Sequence, residues 1–122
     1  MTEKKKLRSM RYSLEDIIEC IHKVQNYASR GKNSFFESEI LQDAIIRRLE
    51  IIGEASNRLP KEMLKRYPQI PWRQIIGFRN IAIHEYFRVD LHLVWSLVES
   101  EELENLKSVA TKMLSELTDV SD

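Results

Sequence analysis

Apolar residues in this chain recur at intervals of three and four, and the β-branched alternation of strands is missing. An α-helix turns once in about 3.6 residues, so this spacing draws one greasy stripe along each segment. In SLEDIIECIHKVQNYASRG the stripe is Leu14, Ile17, Ile18, Ile21, Val24 and Ala28. Ser13 is suited to cap the start, with Asp16 three positions on as a short-acid capping box, and Gly31 stands where a C-terminal cap belongs. A loop, GKNSFF, is expected next, then a second helix from about Glu37 to Arg58 with Ile40, Leu41, Ala44, Ile45, Ile51, Ile52 and Ala55 inward. Gly53 lies inside that helix, where glycine costs about 1 kcal/mol relative to alanine, so a close helix–helix approach is expected to compensate. Pro60 opens a short helix, and Pro71 begins another that runs from Trp72 to about Tyr86. Asp90 caps a final long helical region with a bend near Ser100, where ESEELE is poor in core residues. The expectation is an all-α antiparallel bundle of four main helices plus a short one.

The chain has 122 residues, which suits a single domain spanning 1–122. Nineteen Lys and Arg balance nineteen Asp and Glu, so nucleic acid would have to meet a local patch and not the protein's overall field. The charges are uneven. EKKKLRSMR opens the chain, and we read residues 1–11 as a basic, solvated N-terminal tail. Cys20 is the one cysteine, so no internal disulfide forms, as suits a reducing compartment. No apolar run reaches the roughly 18 residues of a membrane span, and no signal-like segment opens the chain. A soluble, cytoplasmic protein without membrane contact is expected.

FRNIAIHEYF, residues 78–87, puts Arg79, Asn80, His84 and Tyr86 into an otherwise apolar helix. On a wheel of about 100° per residue, Trp72, Ile75, Ala82, Ile83 and Tyr86 fall within about 60° of Arg79. Arg79 is therefore expected at the centre of the apolar arc, where a buried arginine needs a partner, an anion or a cleft. Asn80 and His84 stand one turn apart. Each of the four has an ordinary reading: an internal ion pair, a backbone cap, a surface histidine, a core tyrosine. His22 and His92 are read as surface residues. No H-E-x-x-H, cysteine pair, aspartate cluster, glycine-rich phosphate loop or G-x-S-x-G elbow is present, so no metal site and no cofactor is expected.

The order RNIAIHEY is Arg-Asn-x-x-x-His-x-Tyr, and it resembles the signature of the HepT-like toxins of the HEPN superfamily of small all-α ribonucleases. LQDAIIRRLEIIGEASNRLP, PWRQIIGFRNIAIHEYF and VDLHLVW stand in the order typical of that family, and the likeness runs from about Tyr12 to Leu117. The resemblance implies a HEPN-like bundle in which Arg79 and His84 are the catalytic pair and Asn80 the supporting polar residue. It also implies that Tyr86 accepts AMP from a cognate minimal nucleotidyltransferase antitoxin, which silences the toxin. Such toxin–antitoxin pairs are of type VII.

The chemistry of metal-independent RNA cleavage fits these residue types. Histidine titrates near neutrality and serves as base or acid. Arginine offers a permanently charged fork to phosphate oxygens. Acid and base together want two histidines, and a homodimer supplies the second. Two other readings stand beside the ribonuclease: a non-catalytic partner subunit that grips substrate or nucleotide for a nucleotidyltransferase, and a passive helical dimerisation module.

Overall fold

The computed structural model describes residues 2–81 and 90–120, whose regular elements are all helices, with no strand among them. The chain forms α1 (Glu3–Ala28), α2 (Lys32–Glu37), α3 (Glu39–Asn57), α4 (Lys61–Lys65) and α5 (Trp72–Gly77). A 3₁₀ turn at Phe78–Asn80 follows α5, and after Asp90 come α6 (Leu91–Glu99) and α7 (Glu102–Val120). The all-α bundle expected from the periodicity is what forms.

α1 is the spine, packing along α3 on one side and α7 on the other, while α3 carries α5 and the 3₁₀ turn. α1 and α3 run antiparallel: Arg48 of α3 reaches Cys20 of α1, and Arg58, just past the end of α3, lies beside the first half of α1. Leu14, Ile17, Ile21 and Val24 of α1 meet Ile45, Leu49 and Ile52 of α3, all fully buried. At the far end Gln25 donates to the Glu104 carboxylate at 2.6 Å and accepts from the Lys107 ammonium at 3.3 Å, joining α1 to the start of α7.

α1 begins ten residues before the Ser13 expected to cap it. Thr2 is the cap, its hydroxyl accepting from the Lys5 amide at 3.2 Å, and Ser13 is a buried mid-helix residue. Residues 3–11 are thus the first turns of the longest helix and not a frayed tail. Leu7 and Met10 continue the stripe of Leu14 and Ile17 and pack on the core. GKNSFF is likewise no plain loop. Residues 32–37 make α2 because Phe35 is drawn inside, its ring centroid 5.2 Å from that of Trp95. Gly31 adopts φ 95°, which permits the sharp redirection between α1 and α2.

The expected bend near Ser100 is a full break. Ser100 is extended, and its hydroxyl donates to the Leu97 carbonyl and accepts from the Glu102 amide. Asp90 caps α6 as expected, one carboxylate oxygen accepting from the amides of His92 and Leu93 at 3.1 and 3.2 Å. Asp90→Ala is expected to cost about 1 kcal/mol of stability in chemical denaturation, and Asp90→Asn to retain most of it. Among the described residues no helix is long and apolar enough to cross a membrane.

Candidate functional site

The helix that begins after Pro71 does not continue unbroken as α-helix to Asn80. It is α-helical only to Gly77 and tightens into the 3₁₀ turn over Phe78, Arg79 and Asn80. A 3₁₀ helix advances about 120° per residue, so positions three apart eclipse. The inward stripe holds Ile75 and Phe78, both buried, with Trp72, Ile76 and Ile81 packed against the core. The Trp72 indole donates to the Tyr67 carbonyl at 3.0 Å, which ties this segment to the end of α4.

This phase change corrects the wheel. Arg79 is exposed, one step off the inward stripe, and Asn80 is half-buried. An exposed Arg79 does not need the internal partner that a buried one would. An exposed fork of donors is nonetheless what a phosphate oxygen needs. His84 and Tyr86 lie outside the described residues, so the geometry of the four together is given only for Arg79 and Asn80.

What is closely packed is the backbone of Arg79. Gly53 of α3 packs directly on it: a Cβ at Gly53 would stand 2.5 Å from the Arg79 amide nitrogen, 2.9 Å from the Ile75 carbonyl oxygen and 3.0 Å from that of Ile76. The interior glycine of α3 thus exists for the close approach expected of it. It seats the main chain of the turn inward, and the side chain of Arg79 points away.

Other candidates are ruled in or out by their surroundings. Cys20 is buried, and burial pushes its thiol pKa up against the opposing pull of the Arg48 guanidinium 3.9 Å away. A thiol held protonated is a poor nucleophile. His22 and His92 are exposed, as expected, with His92 resting on the Phe36 ring at 4.8 Å. Among the described residues no three His, Cys, Asp or Glu side chains gather as a metal site would require. A basic concavity, by contrast, was hidden by the reading of residues 1–11 as a tail. Lys5, Arg8 and Tyr12 line it together with Arg58. Their spacing of three and four was the signal, and it shows once α1 is known to start at Glu3.

Comparison with known proteins places these features in a family. The family model described as Ribonuclease HepT-like matches residues 4–113. A Methanocaldococcus jannaschii protein named as a gamma-glutamylcyclotransferase and candidate RNase is 40% identical over 111 residues, covering 90% of this chain and 50% of its own length. A second candidate RNase of that organism is 36% identical over 95 residues, 77% of this chain and 87% of the relative. A probable ribonuclease HepT of Thermococcus cleftensis is 37% identical over 107 residues, 87% of this chain and 96% of the relative. The chain thus spans half of the first relative and most of the other two. No solved structure gives a significant match.

Proposed function

Because the chain belongs to the Ribonuclease HepT-like family, we propose that it is the toxin of a type VII toxin–antitoxin pair, a metal-independent endoribonuclease with a composite site across a homodimer. The observation that carries the reading is the presentation of Arg79: an exposed arginine on a turn whose backbone packs closely against Gly53, at the head of the Arg-Asn-x-x-x-His-x-Tyr order. In this reading Arg79 holds the scissile phosphate. One His84 takes the proton of the 2′-hydroxyl, whose oxygen attacks phosphorus. The P–O5′ bond breaks, and the partner copy's protonated His84 gives its proton to the leaving oxygen. Asn80 orients a histidine or a phosphate oxygen. The product is a cyclic phosphate end.

The test is direct. Purified, unmodified protein is incubated with RNA in EDTA, and the ends are analysed. Cleavage leaving a cyclic phosphate is the expected result. Cleavage only with added divalent metal overturns the mechanism, and binding without cleavage assigns the chain instead to the role of phosphate-gripping partner subunit.

Silencing belongs to Tyr86 in this reading. Its phenolate oxygen attacks the α-phosphorus of ATP, pyrophosphate leaves, and an AMP ester remains. The new phosphate brings negative charge and the adenosine brings bulk, both of which compete with RNA for Arg79. Tyr67 donates its hydroxyl to the Glu116 carboxylate at 2.8 Å, whereas Tyr12 is 61% exposed and is the natural rival acceptor. Incubation with the cognate nucleotidyltransferase and ATP is expected to add whole AMP units by intact mass. Tyr86→Phe is expected to block the addition and to leave an enzyme that still cuts RNA. AMP found on Tyr12, or a Tyr86→Phe chain that is silenced as readily, refutes the assignment.

A further inference from the structure

We propose that the first half of α1 and the end of α3 form a docking groove for the phosphodiester backbone of single-stranded RNA, with Tyr12 as a stacking platform for a base. The proposal rests on the ribonuclease reading and adds a binding surface separate from Arg79 and His84.

The groove has a volume of about 300 Å³ and is lined by Lys5, Arg8, Tyr12, Asp16 and Arg58, with buried Ser13 at its floor. Three cations face one carboxylate there, in a chain whose formal charge is zero. Arg8 also borders a smaller hollow of about 120 Å³, shared with Lys4. Among the described residues none of Lys5, Arg8 and Arg58 takes part in an ion pair. A solvated basic face is normally convex and purely polar. This one is concave and holds an aromatic ring that is 61% exposed.

Cationic groove plus exposed aromatic is the combination that binds single strands with little regard to sequence. Lys5 to Tyr12 spans about 10 Å of helix, and stacked nucleotides rise about 3.4 Å each, so roughly three fit along it. α3 links the groove to the proposed catalytic turn. Gly53 backs Arg79, and Arg58 follows five residues later, about 7.5 Å along the axis.

The test measures binding of a fluorescent oligouridine of about 12 nucleotides, within the range that such grooves occupy, to the His84→Ala chain, so that the RNA survives. Lys5→Gln, Arg8→Gln and Arg58→Gln are combined on that background. Loss of three phosphate contacts is expected to make the plot of log affinity against log salt shallower by about 2. Tyr12→Ala is expected to weaken binding about tenfold and Tyr12→Phe to preserve it, because the ring and not the hydroxyl stacks. Circular dichroism and thermal melts of the groove variants are expected to match those of the His84→Ala chain, which certifies their fold. An unchanged affinity and salt slope in the triple variant, with binding lost in Arg79→Ala, overturns the groove and leaves the ribonuclease reading standing. An unsubstituted chain that neither binds the oligomer nor cleaves it overturns both.

Discussion

Gly53→Ala is expected to lower the melting temperature by roughly 4–12 °C and to remove most RNA cleavage, although it adds a single methyl group. On propensity alone the change should help, because alanine is the better helix former by about 1 kcal/mol. Space decides otherwise. The new Cβ would meet the Arg79 amide nitrogen, the Ile75 carbonyl and the Ile76 carbonyl at 3.0 Å or less. All three are backbone atoms, so no flexible side-chain tip can swing aside. Either α3 or the 3₁₀ turn must move, and fully buried Ile52 and Ile75 must move with them. The activity loss follows because the displaced backbone is that of Arg79. Gly77→Ala is the internal control. Gly77 ends α5 with ordinary right-handed helical angles, and among the described residues a Cβ there meets nothing within 4 Å. It is expected to be neutral or to stabilise by about 0.4–1 kcal/mol through the unfolded chain. Thermal melts and cleavage assays on both variants check the contrast, and equal behaviour of the two would show that the seating of the turn on α3 is soft.

The expected and observed structures part where tertiary context acts on local signals. α3, the Asp90 cap and the Gly53 approach were legible because each has a local chemical signature: apolar spacing, a carboxylate before an apolar run, a glycine where alanine would be preferred. Ser13 carries the same kind of signature and misled, since good cap chemistry says nothing of whether the preceding residues are already helical. Leu7 and Met10 held that information in their register with Leu14, beneath a conspicuous run of charge. Phe35 and Phe36 could not announce α2 without Trp95 and His92, which lie far along the chain and supply the rings they pack on. The wheel puts Arg79 at the centre of the apolar arc, whereas it is exposed. A wheel assumes one helical period, and the turn at Phe78 changes it. Family order locates the candidate residues, but the direction of a side chain after a 3₁₀ turn depends on packing against α3.

That exposed orientation sharpens what loss of Arg79 should do. Arg79→Ala is expected to lower RNA cleavage by about 10²–10⁴-fold, the scale of losing a catalytic charge or proton-transfer group, and to leave the melting temperature almost unchanged. A buried arginine would have taken fold and activity down together. This one stands on the surface, where substitutions usually shift stability by no more than about 0.5 kcal/mol. His84→Ala is expected to lose activity on the same scale, and circular dichroism is expected to show unchanged helix content for both. The proposed dimer makes a further quantitative demand. If one cleft uses both copies of His84, a dimer with a single His84→Ala chain lacks either its acid or its base. Unsubstituted and His84→Ala chains refolded together in varied ratio should then give activity that falls as the square of the unsubstituted fraction. Two independent sites would give a straight line. A straight line, or light scattering that shows only monomer at assay concentration, removes the two-histidine mechanism and leaves Arg79 to act with the His84 of its own chain.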